Sequence, residues 1–426
     1  MTDLTNTMTN AVAINPGARA NERRTSDVKA APGALSDALR GRDLLCFSHD
    51  WNGDPLSKNH LMRALARDNR VLWVNSIGYR TPTASRRDVS RAFRKLAAAV
   101  EPIKEVEQNI FVLNPLAIPA YGRAGIREFN RHFLRWQVKR AMGRLGFSRA
   151  VNFIFNPPAA LIAGLLGEDK LIYYCVDEHL AFTGVAADSL ARMEEQLCRK
   201  ADLVVVTAER LHESKARFNP HTRLIRHGVD FQHFRRALDP STAVPAEIAG
   251  LPRPVIGFHG LIADWVDVEL LTHIARSFPE GSLALVGKTT TNVSRLERLP
   301  NVHLLGRKPY AELPAYCKGF DVALNPFRMN ELTLNSNPLK VREYLAAGLQ
   351  VVSTPVPEVV RLKHCRIASG PDEFAREIKQ SFACPGPSLA RSELMRGESW
   401  EAKVDELRRH FAESVEHCSN LDRGDL

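Results

Sequence analysis

Short apolar runs rich in β-branched residues alternate with longer stretches of helical periodicity along nearly the whole chain, and the rhythm runs twice. The first set lies at 44–47, 71–74, 110–113, 151–155, 171–174 and 203–206. A Pro-rich interruption from Asp239-Pro240 to Pro252-Arg253-Pro254 follows, and the second set lies at 255–258, 283–286, 302–305, 322–324 and 351–353. Strands that alternate with helices build βα units on a parallel sheet, whose buried strands read as continuous apolar runs. The pattern therefore predicts an α/β protein with two doubly wound, Rossmann-like domains, at 39–238 and 252–396. Residues 1–38 show no period and are expected to be a disordered tail, and 397–426 a charged amphipathic helix that crosses back to the first domain, followed by a tail. Ligands of open α/β sheets bind outside the carboxyl ends of the strands, so two such domains facing each other enclose a cleft.

Composition narrows the class. A chain of 426 residues, 44% hydrophobic, can bury the cores of two or three domains. It has no apolar run of membrane-spanning length, and Glu22-Arg23-Arg24 stands where a signal peptide would need an apolar stretch. Its seven cysteines are odd in number and form no Cys-x-x-Cys pair, which argues against a zinc site and a disulfide framework. The expected compartment is the reducing cytoplasm, including the inner face of the plasma membrane. The net charge of +10 calls for an anionic partner. Its basic stretches are Arg86, Arg87, Arg91, Arg94 and Lys95, then Arg123, Arg127, Arg131, Arg135, Lys139 and Arg144, the second interleaved with Phe129, Phe133, Trp136 and Val138. The second reads as an amphipathic helix with a basic face, suited to peripheral docking on an anionic membrane. Nucleic acid is not expected, because no recognised RNA- or DNA-binding module accompanies the charge.

The most informative segment runs from Asn335 to Ser353. Asn337 is a good N-cap, Pro338 suits a first helical position, and Gly348 ends the helix before a β-branched strand. Lys340 then falls in the first turn, where the helix dipole disfavours a cation by roughly 0.3–1 kcal/mol unless an anion is also present. A diphosphate would supply that anion, held by free backbone N–H groups and the lysine. Glu343, one turn on, can accept hydrogen bonds from ribose or sugar hydroxyls. A solvated Lys–Glu pair is the plainer alternative.

The segment resembles the donor-binding signature of GT-B glycosyltransferases, Glu-x7-Glu-Ala-Met-Ala-x-Gly-x-Pro-Val-Val, with Glu343 on the second Glu and Gly348 on the Gly. Its Asn-Pro-x-Lys-x-x-Glu-Tyr-Leu-Ala-Ala-Gly form is similar to a bacterial envelope and exopolysaccharide branch that includes teichuronic-acid enzymes and, more distantly, xanthan glucuronosyltransferase. The resemblance implies a GT-B fold, a nucleoside-diphosphate-sugar co-substrate with no separate cofactor, and a saccharide or polyprenyl-diphosphate-linked acceptor. Asn335 stands where the first Glu is expected, and Ser336 or Asn337 is left to take over part of its contact. The turn after the 255–258 run, Gly257-Phe258-His259-Gly260, lacks the Arg and Lys that retaining family 4 enzymes place there, so neutralisation falls on Lys340. Gly260 can still bring backbone close to the diphosphate, and Lys288 and Arg307, each just after a strand, are further donor candidates. No Asp-x-Asp motif lies near the donor helix, which predicts metal-independent catalysis.

On the acceptor side, His227-Gly228-Val229-Asp230-x-x-x-Phe234 resembles the element that closes the first domain of many GT-B enzymes, read here as structural. Asp177, Glu178 and His179 follow a buried strand at the edge facing the cleft, in a segment similar to the Tyr-x-x-x-Asp-[Asp/Glu] of the same branch. Transfer with inversion needs a base for the acceptor proton. Asp177 is the first choice, ahead of Glu178 and His179; the alternative is that Asp177 caps the next helix. The long polar junction after the 44–47 run has no Gly-x-Gly-x-x-Gly, and offers His49, Asp50, Ser57 and Lys58 as acceptor contacts or loop residues. Two other readings stay open: a nucleotide-sugar epimerase on the same scaffold, and a catalytically silent binding subunit.

Overall fold

The computed structural model describes residues 38–76, 103–118, 124–181 and 187–421. The tail up to residue 37, the basic stretch from Arg86 to Lys95, and Arg123 lie outside the described residues. The first sheet has eight strands: β1 (Asp43–Phe47), β2 (Arg70–Val74), β3 (Lys104–Glu107), β4 (Ile110–Leu113), β5 (Val151–Ile154), β6 (Lys170–Cys175), β7 (Leu203–Val206) and β8 (Thr222–Leu224). Their order is β3-β4-β2-β1-β5-β6-β7-β8. The second sheet has β9 (Val255–His259), β10 (Ser282–Val286), β11 (Val302–Gly306), β12 (Val322–Asn325), β13 (Val351–Ser353) and β14 (Arg366–Ile367), in the order β11-β10-β9-β12-β13-β14. Every pairing is parallel except β3 with β4.

Side chains alternate across each strand, so one apolar run feeds two cores. Leu45, Phe47, Leu72 and Val74 lie in a cluster on one face of the first sheet, and Leu44, Cys46, Val71 and Trp73 in a cluster on the other. Strands β3, β8 and β14 leave no such signature. The first is an exposed, charged edge strand, Lys-Glu-Val-Glu, and the others have three and two residues. Edge strands need no apolar run to pair.

Four helices matter for the site: α1 (Ser57–Ala66), α2 (Ala124–Leu145), α3 (Leu339–Ala346) and α4 (Trp400–Leu421). Trp400, Val404, Leu407 and Phe411 of α4 recur at helical spacing and join the core of the first sheet beside Leu61, Met62 and Leu65 of α1. The chain thus returns to its first domain. Gly228 permits that return, because a Cβ there would stand 2.9 Å from the Trp400 backbone nitrogen; its role is close approach.

Helix α2 turns its aromatic residues away from the core. The residues it buries are Asn130, Leu134, Val138, Ala141 and Met142, whereas Phe129 and Trp136 are 53% and 56% exposed. The aromatic residues form their own stripe one position off the buried one, with Phe129 on Phe133 at 5.5 Å and Phe133 on Trp136 at 5.9 Å between ring centres. No helix among the described residues is long and apolar enough to cross a membrane.

Candidate functional site

The donor half of the cleft is built where β9 hands over to Gly260 and where α3 begins. Gly260 has φ +124°, a conformation open to glycine, and its loop is tied to the segment after β10 by Gly260 N–H to the Val286 carbonyl and Ile262 N–H to the Lys288 carbonyl, both 2.9 Å. Lys340 reaches back over this turn. Its Nζ lies 4.5 and 4.6 Å from the ring centres of Phe258 and Phe327, and a Cβ on Gly260 would stand 3.0 Å from it. The ammonium makes no hydrogen bond or ion pair among the described residues. Burial pushes it down to about 8, against a smaller raising effect of Glu343. The Tyr344 hydroxyl, accepting from His259 N–H at 2.7 Å, fixes α3 against the end of β9.

Glu343 is 7% exposed, and burial raises its carboxyl to about 8, with Lys340 opposing. Its nearest basic group, His259 Nε2 at 3.7 Å, is held down to about 3 by burial and then by Lys340, so their contact is not an ion pair at neutral pH. Lys340, Glu343 and Gly260 therefore meet at one turn, as their sequence positions suggest.

Asn337 does something else. The helix starts at Leu339, with Pro338 in the capping position and no side-chain cap. Asn337 Nδ2 instead donates to the Thr207 carbonyl of the first domain at 2.8 Å, and its Oδ1 accepts from Arg342 at 2.6 Å. A side chain that can bridge two domains satisfies more polar groups than one that caps locally. Ser336 donates to the Thr333 carbonyl at 2.9 Å. Arg307 forms a fork on Asp54 of the first domain, with both Nε–O distances 2.9 Å, so it clasps the cleft rim. Lys288 is exposed on the loop beside Gly260. Two residues missed from sequence, Phe258 and Phe327, make the aromatic walls around Lys340; their only signal is position at or just after a strand's carboxyl end. A third, Glu331, is held by Asn335, whose Nδ2 donates to the Glu331 carbonyl (2.7 Å) and carboxylate (2.8 Å). A carboxylate is thus present beside the position where the signature has its first Glu.

Across the cleft, the three residues after β6 separate. Glu178 is engaged by Lys215 at 3.3 Å and accepts from Leu180 N–H at 3.4 Å, so it anchors the turn at His179–Ala181. Lys215 in turn pairs with the buried Glu194 at 2.8 Å. His179 is 2% exposed, and burial lowers its imidazole to about 4, which makes it a poor proton acceptor at neutral pH. The Asp177 carboxylate has no hydrogen-bond partner among the described residues; burial raises its pKa while the charge of Lys58 opposes this. The loop is braced by the Thr207 hydroxyl, which donates to the Val176 carbonyl at 3.0 Å. The same Thr207 accepts from Asn337, so α3 and the loop after β6 are registered through one residue.

The β1–α1 junction divides too. Asp50 accepts from Ser76 N–H at 3.2 Å, a loop bond. His49 bonds Ser48 at 3.1 Å through Nδ1 and is lowered to about 4 by burial, with a further lowering by Lys58. Ser57 opens α1. Lys58 is 8% exposed with no hydrogen bond or ion pair, its Nζ 5.8 Å from the centre of the Phe155 ring.

Residues 253–383 match the model for glycosyl transferases group 1. This segment is a glycosyltransferase domain. Around it, the chain is 25% identical over 277 residues to TuaH of Bacillus subtilis (strain 168), a protein assigned as a teichuronic acid biosynthesis glycosyltransferase. That match covers 60% of this chain and 66% of the relative, just under two thirds of its length. Among solved structures, the glycosyltransferase domain and its partner superpose together on sucrose-phosphate synthase of Thermosynechococcus elongatus (TM-score 0.59, 16% identity, 90% of this chain and 98% of that one). Anabaena Alr3699/HepE in complex with UDP-glucose gives TM-score 0.59 at 14% identity, over 88% of this chain and 100% of that one. The α,α-trehalose 6-phosphate synthase of Burkholderia multivorans gives 0.60 at 12%, over 89% and 100%. The fold is GT-B.

Proposed function

We propose that this chain is a metal-independent hexosyltransferase that moves a sugar from a nucleoside-diphosphate sugar to a saccharide or polyprenyl-diphosphate-linked acceptor in cell-surface polysaccharide synthesis. The observation that carries the reading is Lys340: an unpaired, largely desolvated ammonium at the start of α3, laid over a glycine turn. Desolvating a cation costs several kcal/mol unless an opposite charge arrives. The diphosphate of the donor is that charge, with the free N–H groups of the first turn beside it. UDP-glucose, bound by the Anabaena structural neighbour, has this chemistry.

In the step so described, Asp177 takes the acceptor hydroxyl proton as that oxygen bonds to the anomeric carbon. The bond from that carbon to the diphosphate breaks, and the nucleoside diphosphate leaves with the electron pair against Lys340, whose fixed charge is worth most where water is excluded. A carboxylate base of this kind fits inversion. A thermal-shift screen against UDP, GDP, dTDP, ADP and CMP tests the donor site: a nucleoside diphosphate should stabilise the protein and CMP should not, and no response to any of them would sink the reading. Incubation with the responding nucleotide sugar alone should leave the sugar unchanged, whereas its conversion to an epimer would identify an epimerase.

A lipid-linked acceptor belongs at an anionic membrane, and α2 presents the matching surface. Phe129, Phe133 and Trp136 form its stacked stripe, with Arg140 against Trp136 at 5.8 Å. Arg127, Arg135 and Lys139 are exposed on the same helix. Aromatic insertion plus basic attraction is the usual pairing for peripheral docking. Vesicles containing phosphatidylglycerol should sediment the protein at low salt, vesicles of phosphatidylcholine should not, and Phe129→Ser with Trp136→Ser should abolish sedimentation while leaving the nucleotide thermal shift intact. Equal sedimentation of the double variant would exclude this face.

A further inference from the structure

Two helices open onto the cleft with the same local chemistry. Helix α3 of the second domain and α1 of the first each begin without an N-cap side chain accepting from the first turn, without an acidic residue there, and with a lysine there, although in α1 the Asn59 side chain accepts from the Leu56 N–H at 2.9 Å. Lys340 has a task in the reading above; Lys58 does not. Its side chain lies over the cleft-facing ends of β1, β5 and β6, against Phe155, where its charge is felt by Cys46, Cys175 and Asp177. More than nine-tenths buried, it makes no hydrogen bond and no ion pair. The nearby imidazoles carry no charge of either sign: His49, His179 and His227 are all disfavoured as cations, by burial first and by Lys58 among the charges. The Nε2 of His49 is buried without a partner. Among the described residues the carboxylate that favours the ammonium is Asp177, with smaller effects of the Cys46 and Cys175 thiols, and it stands beyond ion-pair distance. A buried ammonium with incomplete counter-charge, at a helix N-terminus where the Asn59 and His60 N–H groups turn to the Leu56 carbonyl but no N-cap side chain accepts from the first turn, has the makings of an oxyanion site.

We propose that Lys58 and the first turn of α1 bind a compact oxyanion carried by the acceptor, phosphate or carboxylate, and that the acceptor is therefore a charged saccharide or a phosphate-linked one. The inference rests on the reading of this half of the cleft as the acceptor side. It adds a reason for the charge: an anion on Lys58 holds the acceptor beside Asp177, where its hydroxyl must lose a proton. Asp177, being a carboxylate, weakens that anion's binding while it is ionised.

The test uses the full chain with its donor site saturated by the nucleoside diphosphate that gives the largest thermal shift. Inorganic phosphate and glucuronate are then titrated separately, and whichever gives a further saturable shift identifies the oxyanion as phosphate or carboxylate. In Lys58→Met this second shift should vanish while the nucleotide shift remains. In Asp177→Asn it should appear at several-fold lower anion concentration, because the opposing carboxylate is gone. The Asp177→Asn variant keeps Lys58 in place, so it decides the matter even where Lys58→Met fails to fold. No second shift with either anion in the wild type, an undiminished one in Lys58→Met, or an unchanged midpoint in Asp177→Asn overturns the proposal. Loss of the nucleotide shift in Lys58→Met overturns it also, because Lys58 would then belong to the donor diphosphate. Absence of any nucleotide shift in the wild type would instead count against the glycosyltransferase reading itself.

Discussion

Asp177→Asn is expected to lower kcat by about 10²–10⁴-fold, the usual cost of losing a positioned general base, while leaving the nucleotide-induced thermal shift where it is. The carboxylate is the one acidic group after β6 that is not spent: Glu178 is occupied by Lys215 and the turn it anchors, and His179 is buried with its imidazole lowered to about 4. Burial raises Asp177, which improves it as a base so long as the pH stays above its shifted value; Lys58 keeps the rise in check. The pH profile should therefore show activity falling on the acid side through a group above the ordinary aspartate range. Asparagine has nearly the same shape, so the α1–β6 packing should survive. Full activity in this variant would remove Asp177 from the chemistry, and loss of the nucleotide shift would make its role structural.

The parts of this site that could be read from sequence are those whose partners lie close along the chain. Helix α3 and its end at Gly348 are legible because termination depends on residues within one turn, whereas the cap expected of Asn337 is not formed; Gly348 has φ +82° and a Cβ there would stand 2.5 Å from the Ser388 carbonyl oxygen. Lys340 stands out in the sequence because a cation in a helix's first turn is locally unfavourable. Arg307 and Asn337 carry the same outward signs of a donor ligand, a polar side chain at a strand or helix end. Their partners, Asp54 and Thr207, lie 253 and 130 residues away in the other domain, and no local pattern encodes which of two facing surfaces a side chain will choose. The aromatic stripe of α2 fails for a different reason. Two apolar stripes one residue apart have nearly the same periodicity, and only the packing of Leu134 and Val138 against the first sheet decides which faces in. Asn335 shows a third case, where loss of the signature Glu is visible but the carboxylate of Glu331, fixed by Asn335 four residues back, appears only once the turn is folded.

Lys340→Met should cost at least about 100-fold in kcat/KM and remove most of the nucleotide thermal shift. Methionine fills the slot between Phe258 and Phe327 with a side chain of similar length, so the variant isolates charge from packing. A charge-assisted hydrogen bond contributes about 1.5–3 kcal/mol to ground-state binding, roughly 10- to 150-fold, and the developing charge on the leaving diphosphate adds to this in the transition state. The pH dependence supplies a second signature. In the empty site burial holds the ammonium down to about 8, and a bound diphosphate must raise it. Donor affinity contributed by Lys340 is then fully present below pH 8, and as pH rises through that value it is lost by up to about tenfold per unit, since the free protein must take up a proton to bind. Glu343, raised by burial to about 8, ionises in the same window with the opposite consequence for a sugar or ribose hydroxyl that needs an acceptor. The methionine variant separates them. Affinity measured from pH 6.5 to 9.5 should decline in the wild type and should stay flat or rise in Lys340→Met; a parallel decline in both would assign the titration to another group and leave Lys340 without its role at the diphosphate.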